Sequence, residues 1–212
     1  MTSIAIIDYG MGNLRSVAKA LEHVAPQARV IVTQNHHDIL QANRVVFPGQ
    51  GSIRDCMREL VHWNLVEVIR DAALGKPFLG LCLGPQALLD FSEENDGVEG
   101  LGVLPGRVVR FADPRDPATG ERLKVPHMGW NQVRQVGDHP LWRGIPQDSR
   151  FYFVHSYYPR PADETLVVGW THYGFEFASA LARDNIFAVQ FHPEKSAQAG
   201  LRLLANFAAW NP

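Results

Sequence analysis

Four short β-rich runs, separated by stretches with helical patterning, occupy the first 81 residues and set the fold class of this chain. The runs are residues 3–8 (SIAIID), 29–32 (RVIV), 44–47 (RVVF) and 78–81 (FLGL). Helical patterns follow Asn13, a residue type that caps helices, and cover residues 38–42 and 53–74. Strands that alternate with helices form mostly parallel sheets with helices on both faces. In such α/β sheets the loops at the carboxyl ends of the strands hold the ligand.

After Gly97 the pattern changes to shorter β-like runs divided by Pro, Gly and Asp, and it ends in a helical segment at residues 197–210. The runs are residues 106–111, 131–136, 150–158, 165–170, 176–181 and 186–191. We interpret them as antiparallel strands added to the same sheet as hairpins. The loop-like segment 112–123 is too short for a domain linker. Residues 1–212 are therefore expected to form a single domain.

Composition excludes several classes of partner. The formal net charge is −2, so the chain lacks the basic excess that binding to a nucleic-acid backbone requires. No apolar stretch approaches the roughly 20 residues of a membrane helix. The two cysteines, Cys56 and Cys82, form no CxxC pair, and the first residues do not have the pattern of a secretory signal. These features predict reduced thiols and a cytoplasmic location.

One cysteine lies between two glycines at the end of a predicted strand, in residues 80–84 (GLCLG). This arrangement has the form of a nucleophile elbow, GxSxG, with sulfur in place of oxygen. A side chain at either glycine would collide with the turn, and the N-terminus of the following helix favours a reactive thiolate at Cys82. Pro85 would fall in the first helical turn, where its missing N–H costs little. By itself the motif also fits a small apolar core residue.

A nucleophile needs a base, and His192 in the segment AVQFHPEKS is the best candidate. Glu194 follows two positions later, and residues two apart in an extended chain share a face. Pro193 favours that extended conformation. A carboxylate on one ring nitrogen leaves the other nitrogen free to take the thiol proton. An ordinary salt bridge at a strand end is the alternative interpretation.

The segment FPGQGS, residues 47–52, follows a third strand. Gly49 and Gly51 flank Gln50 and let the backbone approach a ligand closely. A backbone N–H from this loop would be a second donor for a tetrahedral oxyanion, and one such donor is typically worth about 10²–10³ in rate.

These motifs resemble those of a known family. PGQG, GLCLGPQ and FHPEKS are similar to the motifs of class I glutamine amidotransferases that carry a catalytic triad. IIDYGMGNLRSV, VPHMGWN and FYFVHSYY further resemble the glutaminase subunits of imidazole glycerol phosphate synthases in histidine biosynthesis. Together these blocks span nearly the whole chain. The resemblance implies a flavodoxin-like single amidotransferase domain.

The resemblance also implies a role for each matching residue. Cys82 is the nucleophile, His192 the base and then the acid, and Glu194 its orienting partner. The oxyanion is assigned to Gly49, Gln50 and Leu83. The substrate-binding residues are Gly51, Gln86, Glu94, His155, Ser156 and Tyr157, the last three through their backbone. The partner interface is Asn13, Met128, Trp130 and Lys195.

The implied reaction is hydrolysis of L-glutamine to glutamate and ammonia through a γ-glutamyl thioester. The resemblance implies no cofactor and no metal. The ammonia passes to a (β/α)₈ cyclase subunit in a heterodimer, which makes imidazole glycerol phosphate and an aminoimidazole carboxamide ribotide. For Met128 and Trp130, an interface hot spot and ordinary core packing are both compatible with the sequence.

The chain departs from the family pattern at two positions. Pro85 replaces the usual methionine of the elbow, which bears on how the Gln86 side chain is aimed. Gln50 replaces the usual valine of the oxyanion loop, whose peptide is thought to reorient when the partner has bound its substrate. We expect glutaminase activity to be low in the isolated chain and to rise with the liganded cyclase.

Three alternatives remain open from the sequence. The first is a glutaminase subunit that serves chorismate or pyridoxal phosphate synthesis. The second is a cysteine peptidase on a related α/β sheet, which would need a broad peptide cleft. The third, a catalytically silent binding subunit, would be expected to lack a triad member, whereas this sequence has all three.

Overall fold

The structure, a computed structural model, describes residues 2–212, and its main feature is an eight-stranded sheet. With strands numbered in chain order, its spatial order is β2 (Arg29–Thr33), β1 (Ser3–Ile7), β3 (Arg44–Phe47), β4 (Phe78–Leu81), β14 (Ile186–Val189), β13 (Glu176–Arg183), β12 (Val167–His172) and β9 (Arg134–Gln135). The first five of these strands are parallel, and the last three are antiparallel to their neighbours. The mostly parallel α/β sheet predicted from the sequence is confirmed.

Two smaller sheets hold the remaining strands. One pairs β8 (His127–Gln132) with β10 (Arg150–His155), and the other contains β11 (Tyr157–Pro161), β7 (Gly106–Arg110), β5 (Phe91–Ser92) and β6 (Val98–Glu99). The prediction that the second half adds only hairpins to the main sheet is therefore partly wrong. The run 150–158 breaks at Ser156, and its two parts join different sheets. The run 131–136 breaks at Val133 in the same way, because alternation marks a strand but does not say which strand it pairs with.

Helices cover both faces of the main sheet. They are α1 (Leu14–Val24), α2 (His36–Gln41), α3 (Ile53–His62), α4 (Val66–Gly75), α5 (Leu83–Leu88) and α6 (Ala197–Ala209). The helical pattern at 53–74 divides into two helices because Asn64 adopts a left-handed conformation, with φ of +56°, that ends α3. The predicted final helix is confirmed, ending one residue early at Ala209.

Alternation along the central strands divides the core into two halves. In β1, Ala5 and Ile7 belong to the cluster that includes α3 and α4, whereas Ile4 and Ile6 belong to the cluster that includes α1 and α6. Each fully buried isoleucine side chain stabilises the fold by about 1.5–3 kcal/mol. Burial on both faces fixes the register of the sheet, so the carboxyl ends of β3, β4 and β14 lie side by side.

Within residues 2–212, no helix combines the length and the hydropathy that a bilayer span requires.

Candidate active site

A cavity of about 390 Å³ opens at the carboxyl ends of three adjacent strands, β3, β4 and β14. Its lining residues are Gln50, Gly51, Cys82, Leu83, Gln86, Glu94, Pro126, Val154, His155, Ser156, Tyr157, His192 and Lys195. The structure thus brings together the three glycine- and histidine-bearing segments that sequence motifs had singled out. Among the described residues, no group of three or more His, Cys, Asp or Glu side chains is placed to hold a metal ion.

Cys82 occupies a sharp turn between β4 and α5. Its φ of +54° and ψ of −83° lie outside the regions that L-residues favour. Such strain persists only where surrounding structure imposes it, and it concentrates at functional sites. The Cys82 N–H donates to the Val189 carbonyl at 2.8 Å, which ties the turn to β14.

The glycines on either side of Cys82 are closely packed, and the contact at Gly84 is the tighter of the two. A Cβ at Gly84 would lie 2.8 Å from the Phe47 carbonyl oxygen, and one at Gly80 would lie 3.2 Å from the Ala188 Cβ. Pro85 falls in the first turn of α5, where backbone N–H groups have no intrahelical acceptor to lose. The sequence therefore folds into an elbow that holds the sulfur at the cavity wall, with Cys82 7% exposed.

His192 and Glu194 form a buried pair beside the elbow. His192 Nδ1 lies 2.9 Å from Glu194 Oε1, and their side chains are 4% and 1% exposed. The local backbone differs from the extended chain predicted: Pro193–Lys195 forms a single 3₁₀ turn. The carboxylate still reaches the ring because His192 itself is extended, with φ of −106° and ψ of 94°.

The charge of His192 is set by its partners against the effect of burial. Burial lowers the pKa of this imidazole, but Cys82 and Glu194 outweigh it and raise the pKa to about 10. His192 Nε2 makes no hydrogen bond of standard geometry within residues 2–212. His192 and Cys82 line the same cavity, and Cys82 is one of the groups that raise the pKa of the ring.

The loop after β3 packs directly against the elbow. A Cβ at Gly49 would lie 2.6 Å from both the Leu83 Cβ and the Tyr9 hydroxyl, so only glycine fits. The Tyr9 hydroxyl donates to the Pro48 carbonyl at 3.0 Å and anchors the loop from behind. Gly51 has a left-handed φ of +89°. This packing places Gln50 and the Leu83 backbone on the same cavity wall as Cys82.

The candidate substrate-binding residues line the other walls. Glu94 is half-buried, and its Oε2 accepts from the Ile53 N–H at 2.8 Å. Gln86 is buried, and its Nε2 donates to the Tyr157 carbonyl at 3.1 Å. His155 differs from the expectation that only its backbone matters, because its side chain is buried and hydrogen-bonded to the His127 ring.

Sequence reasoning missed Gln190, which it treated as part of an apolar strand. Gln190 is fully buried, donates to the Cys82 carbonyl at 3.0 Å and accepts from Gln86 Nε2 at 2.9 Å. It therefore joins the elbow to the substrate-facing wall. The available signal was a polar residue in a buried run directly before His192, since buried polar groups are nearly always hydrogen-bonded.

Of the four candidate interface residues, only Lys195 lines the cavity itself. Met128 and Trp130 alternate along β8 and are 61% and 49% exposed, which excludes core packing for both. Lys195 Nζ lies 5.9 Å from the centre of the Tyr152 ring. Asn13 precedes α1 as predicted, but its side chain makes no capping hydrogen bond. It instead lines a small cavity of about 10 Å³ together with Gln50, His192 and Glu194, among others.

Comparison with known proteins identifies the family. Residues 5–210 match the family model "Glutamine amidotransferase class-I". The chain is 62% identical to "Imidazole glycerol phosphate synthase subunit HisH" of Aromatoleum aromaticum, with 100% of both chains covered. It is 63% identical to the protein of the same name from Nitrosococcus oceani, over 100% of this chain and 99% of that one.

Solved structures share the fold at low sequence identity. A crystal structure of a glutamine amidotransferase superposes with a TM-score of 0.70 at 17% identity, over 97% of this chain and 99% of the other. A glutamine amidotransferase from Thermotoga maritima superposes with a TM-score of 0.61 at 17% identity, over 93% of this chain and 78% of the other. At that identity the likeness supports the fold alone. With a family model that matches almost the full length and relatives above 60% identity, this chain belongs to the class I glutamine amidotransferase family.

Proposed function

We propose that this chain is the glutaminase subunit of an imidazole glycerol phosphate synthase in histidine biosynthesis. It hydrolyses L-glutamine to glutamate and ammonia, and the ammonia is consumed by a separate cyclase subunit. The full-length identity to relatives that carry this subunit name supports the proposal. We further propose that residues 1–212 act as one amidotransferase domain.

The observation that carries the chemistry is the position of His192 between Cys82 and Glu194. Glu194 accepts a hydrogen bond from Nδ1–H, so Nε2 is the ring atom that is left free to exchange a proton with the thiol. Because the imidazole pKa is raised to about 10, the ring is protonated at neutral pH. A protonated imidazole beside a cysteine favours the thiolate, which is the nucleophile.

In the proposed reaction the Cys82 sulfur adds to the carboxamide carbon of glutamine. The carbonyl electron pair moves to oxygen, where the Leu83 N–H and the 49–50 peptide region of the neighbouring loop stabilise the oxyanion. Collapse of this intermediate breaks the C–N bond, and His192 donates its proton to the leaving ammonia. Water then gives a proton to His192 and attacks the thioester, and cleavage of the C–S bond releases glutamate and restores the thiolate beside the protonated ring.

The cavity volume of about 390 Å³ is suited to a small amino acid rather than to a peptide. Glu94 has a second carboxylate oxygen beyond the one bonded to Ile53, and it is assigned to the amino group of the substrate. Gln86, Gly51 and the backbone of residues 155–157 complete the binding surface. This small cavity disfavours the cysteine peptidase alternative.

The partner is assigned as the (β/α)₈ cyclase subunit, bound as a heterodimer through Met128, Trp130, Lys195 and Asn13. Two large apolar side chains exposed on one strand, Met128 and Trp130, support this assignment, because such residues serve as hot spots of interfaces. A cytoplasmic location is also proposed, on the support that Cys56 and Cys82 are both unpaired thiols.

One assay tests the function. Glutamate release from glutamine is measured for the purified chain alone, with the cyclase, and with the cyclase bound to its own substrate. We expect slow turnover alone and faster turnover with the liganded cyclase, because Gln50 lies between two glycines, the residue type with the widest choice of backbone conformations. Equal turnover in all three samples would contradict the partner-dependent activation, and hydrolysis of peptides without hydrolysis of glutamine would contradict the proposed function.

A further inference from the structure

Two histidines whose side chains have no role in the proposed mechanism are buried next to each other at one wall of the cavity. His127, on β8, and His155, at the end of β10, are 3% and 6% exposed. Their rings are joined directly, with His127 Nδ1 at 2.9 Å from His155 Nε2. Phe111 packs edge-on against both, with ring centres at 6.3 and 5.2 Å. A buried polar pair in an aromatic setting is costly unless every nitrogen is satisfied.

The hydrogen bonds at one end of the pair fix the tautomer of His127. Asn131 Nδ2 donates to the His172 carbonyl at 2.9 Å, which settles the orientation of that amide. The same nitrogen lies 3.2 Å from His127 Nε2, so Nε2 accepts. His127 must then carry its proton on Nδ1 and donate it to His155.

The hydrogen bonds of His155 independently require the same direction of donation, from His127 to His155. His155 Nδ1 lies 2.8 Å from the Tyr157 carbonyl oxygen, which can only accept, so Nδ1 carries the proton and Nε2 accepts from His127. Both ends agree on one chain of donation from Asn131 through His127 and His155 to Tyr157. An added proton on either ring would place two donors face to face, so the chain is complete only when both rings are neutral.

The Tyr157 carbonyl connects this chain to the substrate side of the cavity. It accepts from His155 and also from Gln86 Nε2, at 3.1 Å. Gln86 Nε2 donates its second hydrogen to Gln190 Oε1, whose own amide is oriented by the Cys82 carbonyl. Both N–H groups of Gln86 are therefore committed to the protein.

The remaining atom of that side chain is Gln86 Oε1. This oxygen accepts no hydrogen bond within residues 2–212. It is also not one of the fully buried side-chain atoms without a partner in that part of the chain, so it is accessible. Since Gln86 lines the cavity, this oxygen is presented to it as an acceptor. An acceptor fixed in this way suits an N–H of glutamine.

We propose that His127 and His155 form a positioning relay, a one-way hydrogen-bond chain from Asn131 to the Tyr157 carbonyl that holds the Gln86 amide with its oxygen toward the glutamine pocket. The inference rests on the proposed function, since it names a further determinant of glutamine binding at the same site. His127 and His155 touch no reacting atom, so they are positioning residues and not catalytic ones.

The charge state of the two rings agrees with the relay. Burial lowers the pKa of His127 to about 4 and that of His155 to about 3. The titratable neighbours are Tyr173, whose ring centre lies 4.1 Å from that of His127, Tyr158, which packs on Phe111, and His192, whose charge further lowers the pKa of His155. No carboxylate packs against the pair among the described contacts.

The first test does not depend on enzyme activity. Nitrogen-15 NMR of the imidazoles in the full-length chain, between pH 5.5 and 8, reports the protonation and tautomer of each ring. The relay requires His127 and His155 to be neutral with the proton on Nδ1 throughout this range. An imidazolium signal or the Nε2–H tautomer at either ring would overturn it, whatever the chain catalyses.

The second test separates positioning from folding by kinetics with the liganded cyclase present. His155→Phe removes one of the two bonds to Tyr157, so KM for glutamine should rise about fivefold to tenfold, the size of one buried hydrogen bond, while kcat stays within about twofold. His155→Asn keeps a side-chain N–H for the Tyr157 carbonyl and should restore KM to within about twofold of the wild-type value.

Phe111→Leu is the matched control, because it loosens the packing of both rings without removing a hydrogen bond. It should lower thermal stability and leave KM unchanged. A wild-type KM in His155→Phe, equal KM values in the Phe and Asn variants, or a raised KM in Phe111→Leu would each overturn the relay. Wild-type protein that fails to hydrolyse glutamine would instead contradict the proposed function, and the NMR result would still decide whether the relay exists.

Discussion

The cavity has histidine on two of its walls, and the two walls set the charge of the ring in opposite directions. His192 and His155 are buried to a similar degree, at 3% and 6% exposure. Next to Cys82 and Glu194, the pKa of His192 is raised to about 10, whereas burial lowers the pKa of His155 to about 3. The difference shows that partners, rather than depth, decide whether a buried imidazole carries charge. The protonated His192 ring can donate a proton at neutral pH, whereas the neutral His155 ring can only hold its neighbours in position by hydrogen bonds.

Loss of the nucleophile is expected to have the largest effect. Cys82→Ala should reduce glutamine hydrolysis by more than about 10⁴-fold, since the covalent route is removed. It should spare cyclase activity supported by added ammonium salts, as measured by product formation. Cys56→Ala is the matched control, because Cys56 is fully buried in the core and outside the cavity. Loss of the ammonia-dependent activity in Cys82→Ala would show that the residue is structural.

Removal of the charge on Glu194 should have the next largest effect. Glu194→Gln keeps the size of the side chain but stabilises an imidazolium poorly, so kcat should fall about 10²–10⁴-fold. Steady-state kinetics with the liganded cyclase would measure it. A decrease in kcat of less than about threefold would mean that Glu194 neither orients the His192 ring nor stabilises its charge.

Glu194→Gln also tests how His192 contributes to stability at alkaline pH. The pKa of His192 is about 10 in the folded chain and 6.5 ordinarily, so its contribution to stability is complete below pH 6.5 and is lost as pH rises toward 10. The free energy of unfolding should decline over that window in wild-type protein and decline less in Glu194→Gln. Denaturant titrations at several pH values would measure both slopes.

The neutral pair His127 and His155 predicts the opposite dependence of stability on pH. In the folded chain the pKa values of His127 and His155 are about 4 and about 3, whereas the ordinary value is 6.5. As pH falls below 6.5, the unfolded chain therefore binds protons at these two histidines before the folded chain does. Stability should therefore fall from pH 6.5 toward pH 3, and His155→Phe should reduce that acid dependence. His62→Ala, at an exposed histidine, is the control. An unchanged acid slope in His155→Phe would contradict the assignment of a neutral buried ring.

The smallest effect is expected at Pro85, which lies in the elbow wall between Cys82 and Gln86. Pro85→Ala restores an N–H in the first helical turn, where no intrahelical acceptor is needed. KM for glutamine should change by less than about threefold, as measured with the liganded cyclase. A larger change would show that the proline ring aims the Gln86 side chain.

Most of the first half of the fold was predictable because its determinants are local. The bounds of β3 and β4 follow from the short β-rich runs RVVF and FLGL, and the elbow follows from glycines spaced around Cys82. Asn64 was the main local failure there. Its left-handed conformation divides a continuous helical pattern, and asparagine adopts that conformation without a distinct sequence signal.

The second half was less predictable because its strands choose among several partners. Residues 150–158 form one alternating run in the sequence, but the break at Ser156 sends β10 and β11 to different sheets. Alternation reports which face of a strand is buried and is silent on the strand it pairs with. Asn13 precedes α1 as predicted, but its side chain makes no capping hydrogen bond, and the residue lines a small cavity with Gln50 and Glu194.

By itself the sequence determined the parallel sheet, the strained cysteine and the histidine–glutamate pair, since each follows from residues close together in the chain. Only the tertiary structure decided that Gln190 bridges the elbow to Gln86, and that His127 and His155 meet as a neutral pair. Their hydrogen bonds join residues far apart in sequence. Burial and partners set the charge of an imidazole, and both come into existence only when the sheets have packed.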